Sequence, residues 1–160
     1  MNTEAKTKAK AKTNTTDLPE GYEPKLKLPA SYIPTEKEGY MCEKHLEYFR
    51  RKLWVWRAEL IEESQQTIDH LKSEVRDVGD EAERATRETD NSLELRTRDR
   101  YRKLLKKVEQ ALRRLDDGEY GYCEETDEEI GLARLDARPI ATLSLDAQER
   151  WELRQKQLSR

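Results

Sequence analysis

The sequence predicts a mainly α protein: a long antiparallel coiled-coil helical hairpin on a small zinc-ribbon-like globular domain with two short strands and a C-terminal helix. Three observations lead there. Apolar residues recur at steps of three and four along two long runs, the spacing of one helical face, and the runs meet at Gly79 and Asp80 with almost no loop between them. Two residue pairs of equal internal spacing, Cys123/Thr126 and Ser144/Ala147, stand where a ribbon would keep its paired metal ligands. At 160 residues, 41% charged against 34% hydrophobic and with a mean hydropathy of −1.12, the chain is too polar for one thick globule.

Residues 1–16 alternate Lys with Ala and Thr and are expected to be a disordered, solvated tail, because they bury too little to offset ordering. Residues 17–38 space Pro19, Pro24, Pro29 and Pro34 among Tyr22, Leu26, Leu28, Tyr32 and Ile33, which predicts an extended segment lying against the body. Residues 39–117 form the hairpin. Thr35 offers an N-cap to the first helix, although Gly39 blurs its start. Its apolar face runs through Leu46, Phe49, Leu53, Trp56, Leu60, Ile68, Leu71, Val75 and Val78, weakens at Ser64, Thr67 and His70, and ends at Gly79. Asp80 and Glu83 have capping-box spacing for the second helix. That helix shows Ala82, Ala85, Leu93, Tyr101, Leu104, Val108, Leu112 and Leu115 on one face, thinned by Thr89 and Thr97. The product is a rod roughly 50 Å long, with its tip near 77–85 and a polar, loosely packed outer half.

Asp116, Asp117 and Gly118 stop the second helix, and residues 118–145 form the degenerate ribbon-like domain. Ile130–Leu135 and Ile140–Leu145 read as its two strands. Residues 146–160 form the last helix, capped by Asp146 and Glu149 and carrying Trp151, Leu153 and Leu158. One Cys, two hydroxyls and a methyl cannot make a tetrahedral zinc site, so no zinc is expected at Cys123, Thr126, Ser144 and Ala147. Cohesion is then assigned to Trp54, Trp56, Tyr120, Tyr122 and Trp151. Cys123 reads as a small buried hydrophobe and Cys42 as incidental, while His45 and His70 look too isolated for a metal site. A net charge of −3 gives no drive toward DNA or an anionic membrane. No run approaches the ~20 apolar residues of a membrane span. Two cysteines without a partner framework suggest a reducing compartment, and the expected location is the cytoplasm.

From the residues alone, acids at the end of a rod favour ordinary caps over a contact with a partner. GYMCEKHLEYFRRKL (39–53), SLELRTRDRYRKLLKKVEQAL (92–112) and GEYGYCEETDEEIGLARLDARPIATL (118–143) resemble the DksA/TraR family of bacterial transcription factors, in order and without large insertions. The resemblance implies a non-enzymatic, monomeric regulator that inserts its coiled coil into the secondary channel of RNA polymerase. It implies destabilised promoter open complexes and action with ppGpp in the stringent response, without sequence-specific DNA binding. The family's tip pattern D-x-x-D-x-A falls on Asp80, Glu83 and Ala85, with Glu83 one methylene longer than the usual Asp. Its ppGpp-contacting bases fall on Arg100, Lys103, Lys107 and Arg138, and a further basic position is Gln148 here. Two other functions fit a carboxylate-tipped rod: a Gre-type transcript-cleavage stimulator, in which the tip acids would help hold magnesium, and a structural coiled-coil adaptor. The SLELR and YGYC blocks weigh against the first, and the broken seam against the second.

Overall fold

The computed structural model describes residues 18–74 and 80–159. The expected disordered tail, and the expected end of the first apolar face at Val75, Val78 and Gly79, lie outside these residues. The described residues form four helices: α1 (Glu43–Glu74), α2 (Glu81–Asp117), α3 (Leu132–Ala137) and α4 (Leu145–Leu158). α1 and α2 run antiparallel. Arg50 meets Asp116 at 2.7 Å, Arg57 meets Glu109 at 3.6 Å and His70 meets Glu94 at 2.7 Å, so advance along one helix matches retreat along the other. With 37 residues at about 1.5 Å each, α2 is about 55 Å long.

Burial along this hairpin is uneven. Phe49, Leu53 and Leu60 of α1 and Val108, Ala111 and Leu115 of α2 are buried, whereas no described residue between Leu60 and Val108 is. Leu93 and Leu95 are about half exposed, and the alanines at 82 and 85 are fully on the surface. The polar interruptions of the seam satisfy themselves locally. The hydroxyls of Thr67, Thr86, Thr89 and Thr97 each donate to the carbonyl four residues earlier in the same helix, at 3.0–3.2 Å. The outer rod therefore carries helical backbone and surface charge but almost no core.

The core sits at the base, where the globule closes over the helix pair. Phe49 and Tyr120 lie 5.6 Å apart between ring centroids, and the Tyr120 hydroxyl donates to the Pro139 carbonyl at 2.7 Å. Leu132, Leu135, Ile140 and Ala147 complete the cluster. Burial raises the pKa of the Tyr120 hydroxyl, which stays a neutral donor. Tyr40 links the globule to the start of α1: its hydroxyl donates to the Gly121 carbonyl at 2.7 Å and accepts from the Gly131 N–H at 3.0 Å. Gly121 has φ +93°, and a Cβ there would stand 2.7 Å from the Met41 side chain, so this close approach needs glycine.

The expected strands do not form. Leu132–Ala137 is a helix, followed by turns through Thr142 and Leu143, and the described residues hold one isolated antiparallel bridge, Tyr122 with Glu129. Leu132 and Leu135, three apart, both turn into the core as helical neighbours do. α1 begins at Glu43 rather than near Thr35, because Met41 sits at φ +51° and breaks any earlier helix. Ser144, not Asp146, caps α4, its side chain accepting from the Ala147 N–H. Of the aromatics assigned to cohesion, Tyr120 is buried, but Trp54, Trp56 and Tyr122 are only partly covered and Trp151 is 46% exposed.

The segment from Leu18 to Glu38 straps across α1. Tyr22 and Leu28 are buried, the Tyr22 ring lies 5.9 Å from Trp54, and its hydroxyl donates to the buried Glu47 carboxylate. Arg51 donates to the Leu28 carbonyl at 3.3 Å, and the Lys25 N–H reaches Glu47 at 3.3 Å. The buried carboxylate thus has two donors from the strap. Unequal burial sets an expected result: Leu53→Ala should cost about 2–5 kcal/mol in chemical denaturation, as buried Leu→Ala changes do. Leu93→Ala should stay within about 1 kcal/mol.

Candidate functional site

Four groups of residues on this frame have chemistry to offer: the rod tip, a basic cleft at the base, the two ribbon pairs, and the cluster around His45. At the tip, Asp80 is the N-cap of α2. Its carboxylate accepts from the Glu81 N–H at 2.7 Å while its carbonyl accepts from the Arg84 N–H at 2.9 Å. One carboxylate oxygen is thereby fixed and the rest of the group faces solvent. The reciprocal half of the expected capping box is missing. Glu83 turns instead to Arg87, one helical turn on, at 2.7 Å. Asp80, Glu83 and Ala85 are all exposed, and of the two acids Asp80 alone has no ion pair among the described residues.

The cleft, of about 600 Å³, lies between the last turns of α2, the 138–143 turn and α4. Lys107 and Arg138 line it, together with Arg113, Arg114, Arg134, Gln148 and Trp151. Arg114 and Arg134 are committed to the fold. Arg114 donates to the Tyr122 carbonyl at 2.7 Å and Arg134 to the Leu143 carbonyl at 3.0 Å. Lys107, Arg113 and Arg138 make no side-chain ion pair among the described residues, so their charge is available to an anion. Arg100 and Lys103 lie further up α2, exposed and outside the cleft lining. Sequence reasoning thus reaches Lys107 and Arg138 but misses Arg113, which nothing short of the folded cleft distinguishes from the other basic residues of α2.

Backbone hydrogen bonds tie the segments that carry the ribbon pairs. The Cys123 N–H donates to the Glu128 carbonyl at 2.8 Å, and the Asp127 N–H donates back to the Cys123 carbonyl at 2.9 Å. Asp127 at φ +57° closes this tight turn. The Glu124 N–H crosses to the Thr142 carbonyl at 2.9 Å and ties the two halves. Cys123 is buried, which alone would push its thiol up. The N–H groups of Ser144, Glu125 and Thr126, with the Thr126 hydroxyl beside them, outweigh burial and bring it from 9.0 down to about 7. Cys123 is the small buried core residue expected, with donors of both halves around its sulfur.

His45 packs inside the base of the hairpin but has neighbours with donor atoms. It is fully buried and lies beside Glu38 and Cys42, with the donor atoms of all three within 4.8 Å of one another. The Tyr32 hydroxyl at 2.5 Å and the Lys44 ammonium at 3.1 Å hold the Glu38 carboxylate below its ordinary pKa. His70, by contrast, pairs with Glu94 across the rod.

Comparison with known proteins identifies the frame. The family described as DnaK suppressor protein DksA, N-terminal domain, matches residues 45–115, and the prokaryotic dksA/traR C4-type zinc finger matches residues 118–152. A protein of Caulobacter vibrioides named RNA polymerase-binding transcription factor DksA is 56% identical over 127 residues, covering 79% of this chain and 89% of its own. A protein of the same name from Escherichia coli K12 is 45% identical over 122 residues, covering 76% and 81%. The solved structure of transcription factor DksA2 from Pseudomonas aeruginosa is 43% identical with a TM-score of 0.69, covering 73% of this chain and 90% of that one.

The zinc-finger description implies four thiolates, and the donors present do not fit it. Thr126 donates to Glu128 at 3.2 Å, the Ser144 hydroxyl caps α4 at the Ala147 N–H, and Ala147 has no donor atom in its side chain. A pH dependence follows from the sulfur. Its folded pKa lies below its unfolded value, so its contribution is complete above pH ~9 and is lost as pH falls through ~7. Denaturation from pH 6 to 9 should show wild type gaining on the order of 2 kcal/mol relative to Cys123→Ser as pH rises. Parallel profiles would remove the thiolate from the account.

Proposed function

This chain belongs to the DksA family, and from that premise we propose that it binds bacterial RNA polymerase, with the hairpin entering the secondary channel and Asp80 presented near the catalytic centre. Bound there, it destabilises promoter open complexes and catalyses no reaction of its own. The observation that carries this reading is Asp80, an exposed carboxylate fixed by its cap at the far end of a rod in which no described residue between Leu60 and Val108 is buried. That outer rod does little for stability, so its length and its fixed acid are accounted for by an external contact. A cap costs the carboxylate one acceptor position and leaves the others for a donor on the polymerase. Ala85 leaves the adjoining surface low, and Glu83, held by Arg87, has a supporting electrostatic role.

The second part of the proposal concerns ppGpp. Lys107 and Arg138 in the cleft, joined by Arg113, supply cationic groups for its phosphates, and Arg100 and Lys103 extend the same charge along α2 toward the polymerase surface. Gln148 in the cleft contributes hydrogen bonding and no charge, which weakens the coupling. The protein acts as a monomer, and its four-position frame works without zinc. The cleavage-stimulating alternative requires both tip acids to converge on magnesium, and the engagement of Glu83 with Arg87 weighs against it.

Reconstituted transcription from an unstable ribosomal-RNA-type promoter tests the first part. Wild type should inhibit, and Asp80→Asn should need about tenfold more protein for the same inhibition, the size of one charge-assisted contact. Equal inhibition by the two proteins would remove Asp80 from the mechanism, and cleavage of backtracked RNA would favour the alternative. For the second part, Lys107→Ala and Arg138→Ala should each abolish most of the extra inhibition that ppGpp gives, while inhibition without ppGpp persists.

A further inference from the structure

The junction between the strap and α1 gathers three side chains of different donor chemistry. Glu38 ends the strap, Cys42 immediately precedes α1, and His45 lies in the first turn of that helix. The carboxylate, thiol and imidazole donor atoms all lie within 4.8 Å of one another. The His45 Nε2 to Glu38 Oε2 distance is 3.4 Å, close enough for attraction yet without a hydrogen bond. The imidazole is 0% exposed, and neither ring nitrogen has a hydrogen-bond partner. Burying both nitrogens of a histidine unpartnered carries a desolvation cost that folded proteins rarely accept. An apolar residue would suit the position better, unless one nitrogen has a ligand.

We propose that Glu38, Cys42 and His45 form a binding site for a divalent cation of the zinc type, separate from the ribbon frame, that clips the strap to the base of the hairpin. The donor set of one sulfur, one nitrogen and one oxygen selects a borderline cation such as zinc over magnesium or calcium, which take oxygen shells. Tetrahedral zinc with metal–donor distances near 2.0–2.1 Å separates its nitrogen and oxygen ligands by about 3.4 Å, the spacing already present between His45 and Glu38. Small side-chain movements bring the sulfur in. Binding converts the Cys42 thiol to a thiolate and releases its proton to water, with no change of oxidation state. The fourth position takes water, since Glu38 and Cys42 are only partly covered and the site opens to solvent.

The surroundings supply the supporting shell that such a site needs. The Tyr32 hydroxyl donates to Glu38 Oε2 at 2.5 Å, and the Lys44 ammonium donates to Oε1 at 3.1 Å, fixing the orientation of the carboxylate. The Cys42 N–H donates to the Gly39 carbonyl at 3.1 Å, and its carbonyl accepts from the Leu46 N–H at 3.0 Å, so the backbone carrying the sulfur is already placed. Because the ligands lie on both sides of the break at Met41, the cation would add a tie across it to the Cys42 N–H to Gly39 carbonyl bond.

Cobalt(II) titration of the full-length, metal-stripped protein reads this directly. Wild type should take up a single equivalent, giving a sulfur-to-cobalt charge-transfer band in the near ultraviolet and visible bands of tetrahedral intensity. Zinc should displace both and raise the melting temperature. Cys42→Ser should lose the charge-transfer band, and His45→Gln should weaken binding at least tenfold, with unchanged circular dichroism as the check on folding. Cys123→Ser should keep the full spectrum. Absence of a sulfur band in wild type would overturn the proposal. So would a band that survives Cys42→Ser but disappears with Cys123→Ser, which would place the cation at the ribbon frame. Neither result bears on the role of Asp80, which promoter assays read separately.

Discussion

The packing of Phe49 and Leu53 against Val108, Leu115 and Tyr120 is the contact on which the other parts depend. It fixes α1 to α2, sets their register, and supplies the apolar floor on which the ribbon-like domain closes. Each of these side chains is buried, and together they come from α1, α2 and the start of the ribbon-like domain. Ion pairs such as Arg50–Asp116 trim the register, but exposed pairs contribute little by themselves. The hairpin is therefore anchored at one end, and its outer turns extend from an established register without adding to the core.

That arrangement explains how a polar chain supports a rod roughly 50 Å long. A helix pair with a continuous apolar seam would gain stability along its whole length and would also attract other seams. Here the seam thins after Leu60, and the threonines of the outer rod turn their hydroxyls to their own helix. Such a rod presents charge and shape with little self-association. For a protein whose relatives are named for binding RNA polymerase, a slender polar arm and a compact base are a division of labour that the burial pattern itself displays.

The long helices are legible in the sequence because period 3.6 accumulates over many residues, so Leu46, Phe49, Leu53 and Leu60 identify their own face. The cap at Asp80 and the left-handed stop at Gly118 are legible for the same reason: each is a local device with a local signature. The ribbon is harder. Ile130–Leu135 is a short apolar run that suits a strand or a helical turn equally. What decides it is the φ of Gly131 and the shared burial of Leu132 and Leu135, neither visible in composition. The base cleft fails differently, because Arg113, Arg114 and Arg134 look alike in sequence and separate only when Tyr122 and Leu143 claim two of them. His45 looks isolated when only histidines and cysteines are counted in helical frames. Met41 interrupts the frame and folds Glu38 back toward it.

The ribbon frame carries one thiol, and its other three positions have local roles in the globule. Ser144 caps α4, and Ala147 is fully buried. The Thr126 hydroxyl donates to Glu128 at 3.2 Å, within the same turn. Each of these contacts is made by the chain itself. Cys123 remains at the centre because a polarisable acceptor can serve donors from both ribbon pairs at once. The frame persists because its turns are held by backbone hydrogen bonds at Cys123, Asp127 and Glu124 that do not depend on what the side chains coordinate.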